Sequence, residues 1–258
     1  MLETARARMA GAYALHGYLP VSLAARALRH RLRRWRGKAG MPATRLAQKS
    51  WPQILQSHPI RLTETEKSDG NVRVSEMAML ALAAADVPAG SEIVEIGTFD
   101  GRTALNLAIN ARPGVSIATL DLPADQASAL AIEDSERRYV DKPVPGARLR
   151  SCGGPWRASA GRVVQLRGDS ATFDWSPHVG RAGLVFVDGS HAYDYVRKDS
   201  ETAMRLVRPG GVVLWHDYGV WPGVNQALEE LDVTRGLGLV HIAGTSLVFW
   251  RSSEGAQS

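Results

Sequence analysis

The feature that most restricts the fold of this chain is a regular alternation of short apolar runs with helical stretches, which begins near residue 75. Strands are predicted at 93–96, 117–120, 163–166, 184–187 and 212–215, helices at 75–85, 103–109, 124–138, 193–207 and 224–231, and a closing hairpin at 239–242 and 247–250. Strands separated by single helices form βαβ units, and their right-handed crossovers place helices on both faces of a parallel sheet. The sequence therefore predicts a doubly wound, Rossmann-like α/β fold with a C-terminal antiparallel hairpin.

The first 40 residues differ in charge from the rest of the chain. They contain nine of the 31 Lys and Arg residues but only one of the 26 Asp and Glu residues. The net charge of +5 therefore comes from the N-terminal segment, and the remainder is slightly acidic. We divide the chain into a basic helical extension with a polar connector, residues 1–69, and an α/β domain, residues 70–258.

The N-terminal extension contains a predicted basic amphipathic helix at 21–36. One face of this helix would carry Val21, Ala24, Ala25, Leu28, Leu32 and Trp35. Two interpretations stay open: the helix packs on the domain or on a second copy in a homo-oligomer, or it binds peripherally to an acidic membrane surface or polyanion.

Neither a transmembrane helix nor a signal peptide is expected. The most apolar N-terminal window, residues 9–28, is interrupted by His16, Pro20 and Arg26, and it is too polar to span a bilayer. The single cysteine, Cys152, allows no intramolecular disulfide. We therefore expect a cytoplasmic protein.

The loop after the first strand of the domain has the composition of a ligand-binding turn. Gly97 permits a tight turn after the strand, and Gly101 lets the next helix begin close to a ligand. The G-x-G-x-x-G spacing of dinucleotide sites is absent, and Glu95 and Asp100 flank the loop. Because carboxylates disfavour a pyrophosphate and suit a cationic ligand, the loop from Glu95 through Thr98 to Gly101 favours S-adenosylmethionine, which carries an ammonium and a sulfonium.

Further carboxylates follow the next strands of the domain. In parallel sheets ligands bind at the carboxyl ends of the strands, and Asp121, Asp188 and Asp217 all fall at such ends. Asp121 is placed to accept both ribose hydroxyls, and Asp169 with Ser170 to accept the adenine amino group. The alternative is that each acid caps the helix that follows it.

Five segments of the sequence together resemble the class I S-adenosylmethionine-dependent methyltransferases. They are VEIGTFDGRTALNLA, TLDLP, FVDGSHAYDYV, RPGGVVLWHDY and GTSLVFW. The resemblance covers about residues 70–251 and looks most like a bacterial small-molecule branch related to the metal-dependent catechol-type O-methyltransferases. It implies a seven-stranded sheet, S-adenosylmethionine as cofactor, and methyl transfer to a hydroxyl of a small-molecule acceptor.

The resemblance also implies roles for residues at two neighbouring strand ends. In catechol-type enzymes the positions of Asp188 and Asp217 bind magnesium with a third, amide ligand, but Tyr218 stands where the amide is expected. Two carboxylates with waters and acceptor oxygens can hold Mg²⁺, whereas His191 or His216 would favour a softer divalent ion. Asp188 is also expected to contact the cofactor.

His191 is the candidate catalytic base, acting together with Asp188. It occupies the spacing at which catechol-type enzymes carry a lysine that assists deprotonation of the acceptor, and an imidazole with a pKa near 7 suits that task. The alternative is that Asp188 caps the next helix and His191 supports the turn. His216 either orients Asp217 or supports the core.

A long insertion at 137–162 is predicted to act as a lid over the acceptor. Eight basic residues and one acid lie between 137 and 167, which suggests an anionic or sugar-linked acceptor or, alternatively, a solvated basic loop. Trp156 and Trp221 are candidates for the aromatic walls of the acceptor pocket.

Two other functions stay open at this point. The first is a non-methylating relative of the fold that acts as a binding or accessory protein, which Tyr218 suggests. The second is a nucleic-acid methyltransferase, which we do not expect because the basic extension lacks interleaved aromatic residues beyond Trp35.

Overall fold

The computed structural model describes residues 44–64, 72–140 and 145–253, together with Val21 and Leu28. The predicted basic helix at 21–36 therefore lies outside the described residues, apart from Val21 and Leu28, which are helical and exposed. None of the helices in the described ranges is long and apolar enough to cross a membrane.

The described chain forms eight strands and seven α-helices. The strands are β1 (Ala47–Lys49), β2 (Glu92–Ile96), β3 (Ser116–Asp121), β4 (Val163–Arg167), β5 (Ala182–Val187), β6 (Val207–Trp215), β7 (Val240–Ile242) and β8 (Val248–Arg251). The helices are α1 (Val74–Asp86), α2 (Arg102–Asn110), α3 (Arg137–Val140), α4 (Ala147–Ser151), α5 (Arg157–Ala160), α6 (Tyr193–Leu206) and α7 (Pro222–Arg235). Short 3₁₀ turns lie at Trp51–Gln53, Asp134–Glu136, Gly154–Trp156 and Ser176–His178.

All strands belong to one sheet of order β1-β7-β8-β6-β5-β2-β3-β4. The central strands β5, β2 and β3 are parallel, as are β6 with β5, β4 with β3 and β1 with β7, whereas β8 is antiparallel to both β6 and β7. Every residue of β2 and β5 is buried, as expected of strands covered on both faces by helices. The predicted doubly wound fold is confirmed.

The sheet has eight strands instead of the expected seven. The additional strand, β1, comes from the predicted connector and pairs with β7 through Ala47, Gln48 and Lys49. Its side chains are exposed, so no apolar periodicity marks it in the sequence. It is held instead by backbone pairing at the sheet edge and by contacts of the preceding residues with Tyr218.

The predicted helix at 124–138 is wrong. Only α3, at its C-terminal end, is α-helical; residues 124–133 are irregular and a 3₁₀ turn follows them. Backbone N–H groups that would bond within a helix instead donate to side chains far along the chain. The N–H of Ala129 donates to Asp169 Oδ2 at 2.6 Å, and the N–H of Leu130 donates to the Tyr195 hydroxyl at 3.4 Å. A smaller correction concerns α1, whose N-cap is Arg73 and not Ser75.

Most of the predicted lid lies on the outside of the domain. Helices α4 and α5 pack on α2, where Leu149 and Ala160 are buried against Ala104 and Leu105. Trp156 packs in the same cluster, so it is not a wall of the acceptor site. The part of the insertion that faces the carboxyl ends of the strands is its first turn, which includes Tyr139 and Val140.

Candidate functional site

A cleft lies at the carboxyl ends of β2, β3, β5 and β6. Its main cavity has a volume of about 300 Å³. A second cavity, of about 70 Å³, shares Gly97, Asp121 and Gly189 with the first and extends toward the end of β4. The cleft therefore sits where a doubly wound sheet presents its ligand site.

The loop after β2 makes very close backbone contact with the end of β5. Gly97 has a φ of +103°, and a Cβ atom placed on it would lie 2.0 Å from the carbonyl oxygen of Asp188. The N–H of Asp188 donates to the carbonyl of Ile96 at 2.8 Å. Only glycine fits this position, so the loop and Asp188 form one rigid floor of the cleft.

Glu95 lies beneath this loop and outside the lining of both cavities. It is fully buried, and Thr119 Oγ1 donates to its Oε2 at 2.5 Å. Burial raises the pKa of Glu95 well above its usual range, although the hydrogen bond from Thr119 opposes the shift. Thr98 Oγ1 lies 2.7 Å from the same threonine hydroxyl, so Glu95 and Thr98 support the loop from below.

The residues predicted to hold the ribose and adenine line the cleft together. Asp121 lines both cavities and accepts a hydrogen bond from the N–H of Phe99 at 2.7 Å. Asp169 and Ser170 line the smaller cavity. Asp169 is buried and accepts the Tyr195 hydroxyl at 2.6 Å and the N–H of Ala171 at 2.8 Å. Gly101 lies apart from this group, with a φ of +88° at the start of α2.

Two histidines join the strand-end carboxylates into one cluster. His191 Nε2 lies 2.8 Å from Asp217 Oδ2. His216 Nδ1 lies 3.0 Å from Asp188 Oδ1 and 3.4 Å from Asp217 Oδ1. Asp217 adopts a φ of +63°, a left-handed conformation that Asp tolerates better than most residues. Asp188 does not cap α6, whose N-cap is Ala192.

Two further carboxylates complete the cluster, and the sequence interpretation did not include either. Glu136, from the 3₁₀ turn directly before the insertion, contacts both Nδ1 and the backbone N–H of His191. Glu76, from α1, lies 3.4 Å from His216 Nε2. A signal for Glu76 exists, because it is the acid in the first turn of the otherwise largely apolar helix VSEMAMLALAAAD. No comparable signal marks Glu136, which lies 55 residues from its partner.

The carboxylates change the proton affinities of the two imidazoles. Burial alone would lower the pKa of His191, but hydrogen bonds to Asp217 and Glu136 outweigh it and raise the pKa to about 9. The pKa of His216 is raised in the same way, against burial, by Asp188 and Asp217. The pKa of Asp217 is held well below its usual range, because His216 and His191 outweigh the opposing effect of burial.

Aromatic side chains form the walls of the larger cavity. The Trp221 ring stacks on the His191 ring with centroids 4.5 Å apart and planes 7° apart. Phe99 and Tyr139 meet edge to face at 6.0 Å on the lining. Tyr218, in contrast, points away: its hydroxyl accepts the N–H groups of Arg45 and Leu46 at 2.8 and 3.1 Å.

The end of the cleft that contains Asp188 and Asp217 has oxygen and nitrogen atoms that could bind a divalent cation. Single ligand atoms of Asp188, His191 and Asp217 all lie within 4.8 Å of one another. Two carboxylate oxygens and one imidazole fit Mn²⁺ or Zn²⁺ as well as Mg²⁺. His216 contacts both carboxylates, so a bound cation would share them with its ring.

The comparisons with known proteins agree on the fold. Residues 94–218 match a family model described as a methyltransferase domain. No curated protein matches the sequence. Among solved structures, the O-methyltransferase NovP is similar, with a TM-score of 0.55 and 17% identity over 70% of this chain and 81% of that chain.

Two other solved methyltransferases show weaker likeness. TomG from Streptomyces achromogenes has a TM-score of 0.47 and 18% identity, with 74% of this chain and 92% of that chain covered. The calicheamicin methyltransferase CalS11 has a TM-score of 0.46 and 19% identity, with 68% and 77% covered. The family match spans β2 to the end of β6 and thus the loops that build the cleft, so this part of the chain is similar to a methyltransferase domain.

Proposed function

We propose that this methyltransferase transfers a methyl group to a hydroxyl of a small-molecule acceptor. The observation that carries the proposal is the joining of two sites in one cleft: Asp121, Asp169 and Ser170 line one end, and the cluster of Asp188, His191 and Asp217 lines the other. The first end suits a nucleoside, and the second suits an acceptor that must lose a proton. The O-methyltransferase named among the similar folds is consistent with this acceptor atom.

At the cofactor end, the chain supplies orientation. We assign Asp121 to the ribose hydroxyls and Asp169 with Ser170 to the adenine amino group, because all three line the smaller cavity. Glu95 and Thr98 hold the glycine loop on which the cofactor would rest. When bound, S-adenosylmethionine supplies an electrophilic methyl group on its sulfonium. Alignment of the acceptor oxygen with that methyl group is the main contribution of the protein to the rate.

At the acceptor end, His191 is the proposed base. Its Nδ1 faces Glu136 and its Nε2 faces Asp217, so both ring nitrogens are engaged. With Asp217 at Nε2 the pKa of His191 is raised to about 9, so the ring acts as a base only once the acceptor hydroxyl has taken the place of Asp217 there and removed that contribution. The oxygen then forms a bond to the methyl carbon, the carbon–sulfur bond breaks, S-adenosylhomocysteine leaves, and the hydroxyl proton goes to Nε2 of His191.

A divalent cation would be held by Asp188 and Asp217. It would supply a Lewis acid to the acceptor oxygen. Tyr218 contributes nothing to such a site, because its hydroxyl binds the backbone of Arg45 and Leu46. The same contacts give Tyr218 a structural role.

The idea of an anionic or sugar-linked acceptor now depends on few basic residues. Arg148 is paired with Glu64 and Asp100, and Arg162 donates to four backbone carbonyls at the end of α2 and beyond. Arg137 and Arg138 are exposed, but Arg137 pairs with Asp134, and Arg138 donates to the Tyr139 hydroxyl and lies over the face of the Tyr139 ring. We keep the acceptor class at a small molecule with a free hydroxyl.

A titration of the protein with S-adenosylhomocysteine, in Mg²⁺ and in EDTA, tests the cofactor site. We expect binding in both conditions, and no binding in either would end the proposal. Turnover is then measured with radiolabelled S-adenosylmethionine and a panel of acceptors that contains catechols, phenols and alkyl glycosides. His191→Ala should lose turnover and keep S-adenosylhomocysteine affinity, whereas His58→Ala, next to Asp86 at the opposite edge of the sheet, should keep both.

A further inference from the structure

The segment that leads into the insertion reaches into the cleft. It consists of the 3₁₀ turn Asp134–Glu136, which directly precedes the insertion, and α3, with which the insertion begins. Glu136, Tyr139 and Val140 line the larger cavity. Helices α4 and α5 of the insertion pack on α2 instead.

Glu136 is buried in this turn, with 2% of its surface exposed. One oxygen of its carboxylate contacts His191 at both Nδ1 and the backbone N–H. The other accepts the Ser190 hydroxyl at 3.0 Å and the N–H of Glu133 at 3.2 Å. A buried carboxylate is costly unless its oxygens are satisfied, and here three of the four partner groups lie in the Ser190–His191 segment.

These contacts fix the His191 ring in position. Glu136 holds Nδ1, and Trp221 stacks on the face of the ring at 4.5 Å. The ring therefore keeps both its plane and its direction, with Nε2 toward Asp217 and the cavity. Because Glu136 occupies the Nδ1 side of the ring, Nε2 is the ring nitrogen left to face the acceptor.

We propose that Glu136 is a positioning residue for His191, holding the residue at Nδ1 and at its backbone N–H and directing Nε2 at the acceptor hydroxyl. The inference rests on the proposed function of His191 as base. Glu136 does not touch the acceptor oxygen or the methyl group in this mechanism. It stabilises the imidazolium that forms when Nε2 receives the proton, so its loss should lower the rate of the chemical step more than it weakens ligand binding.

The competing explanation is that Glu136 only anchors its own turn, since it also accepts the N–H of Glu133. Three variants separate the two. Glu136→Ala removes every contact. Glu136→Gln keeps an oxygen for His191 and an amide for the Ser190 hydroxyl. Asp134→Asn is the matched control in the same turn, because Asp134 is exposed and pairs with the exposed Arg137.

Turnover is measured with the acceptor that the wild-type protein uses best in the panel above, and S-adenosylhomocysteine affinity by calorimetry. We expect Glu136→Ala to lose about 10- to 100-fold in kcat with little change in KM or in S-adenosylhomocysteine affinity. Glu136→Gln should recover part of the loss, and Asp134→Asn should match the wild type. A Glu136→Ala variant with wild-type kcat, or one whose cofactor affinity falls in step with kcat, overturns the proposal.

A second measurement needs no acceptor. Long-range ¹H–¹⁵N spectra of ¹⁵N-histidine-labelled protein report which ring nitrogen carries a proton, with His191→Ala used to assign the signals. We expect a protonated Nδ1 on His191 in the wild type and a changed Nδ1 signal in Glu136→Ala. An unchanged signal contradicts the inference, whether or not any acceptor in the panel is methylated. If the signal changes but no acceptor is methylated, only the proposed function fails.

Discussion

Nδ1 of His216 lies 3.0 Å from Oδ1 of Asp188, which links the end of β6 to the end of β5. The same nitrogen lies 3.4 Å from Asp217, and the far side of the ring faces Glu76. Each of these carboxylates is at least largely buried. Since like charges that lack a counterion repel strongly in such surroundings, His216 is what allows Asp188 and Asp217 to share one cleft.

Glu76 should be important for stability as well as for holding His216. It is fully buried and accepts the N–H and hydroxyl of Ser246 at 2.7 and 2.9 Å. Glu76→Ala leaves buried donors without an acceptor, and we expect the free energy of unfolding to fall by about 3 kcal/mol. Ser246→Ala, which keeps the backbone N–H, should cost about 1 kcal/mol. Urea denaturation checks both, and equal losses would contradict this role of Glu76.

The stability of the protein should depend on the ionisation of Asp199. This residue is fully buried in α6, and burial raises its pKa from 3.8 to about 7; Asp169 adds to the shift, while Ser170 and Lys198 oppose it. The folded state therefore binds the proton more tightly than the unfolded state. The contribution is favourable below about pH 4 and is lost progressively as the pH rises from about 4 to about 7.

Asp199→Asn isolates this effect. The variant should match the wild type near pH 4 and exceed it by as much as about 3 kcal/mol at pH 8, because the amide carries no charge to bury. Denaturation midpoints of both proteins across this pH range give the difference, in which other titrating groups cancel. A constant difference at every pH would show that Asp199 is ionised in the folded protein throughout.

Gly97 should not tolerate any side chain. Gly97→Ala would place its Cβ 2.0 Å from a backbone oxygen that cannot move freely. We expect a loss above about 3 kcal/mol in the free energy of unfolding, or loss of S-adenosylhomocysteine binding if the loop shifts instead. The control is Gly90→Ala, at a φ of +81° with no atom within 4 Å, which should cost about 1–2 kcal/mol. Similar behaviour of the two variants would mean that the contact with Asp188 is not a constraint.

Tyr218→Phe should separate stability from cofactor binding. Removal of the hydroxyl takes an acceptor from the N–H groups of Arg45 and Leu46, and it takes a donor at 2.7 Å from Glu229, which still accepts the N–H of Arg45 at 3.0 Å. We expect a loss of about 1–3 kcal/mol with unchanged S-adenosylhomocysteine affinity. Calorimetry and chemical denaturation are the two measurements, and a weaker affinity would place Tyr218 in the site after all.

The sequence was most informative where packing and local pattern agree. The apolar runs of β2 and β5 predicted buried central strands because strands covered on both faces need continuous apolar side chains. The positions of Asp121, Asp188 and Asp217 at strand ends predicted their meeting, since parallel strands end at a common edge. By contrast, the sequence did not predict β1, because its side chains are exposed. Residues 124–133 are not helical, because backbone N–H groups of this segment donate to Asp169 and Tyr195.

By itself, then, the sequence determined the doubly wound fold, the glycine loop after β2 and which strand ends carry charge, because these depend on residues close together in the chain. Only the tertiary structure decided what surrounds those charges. Glu136 and Glu76 reach His191 and His216 from 55 and 140 residues away, and Trp221 covers the His191 ring. The proton affinities of the two imidazoles follow from this environment, since burial and counterions act through distance in space and leave no trace in the spacing of residues along the chain.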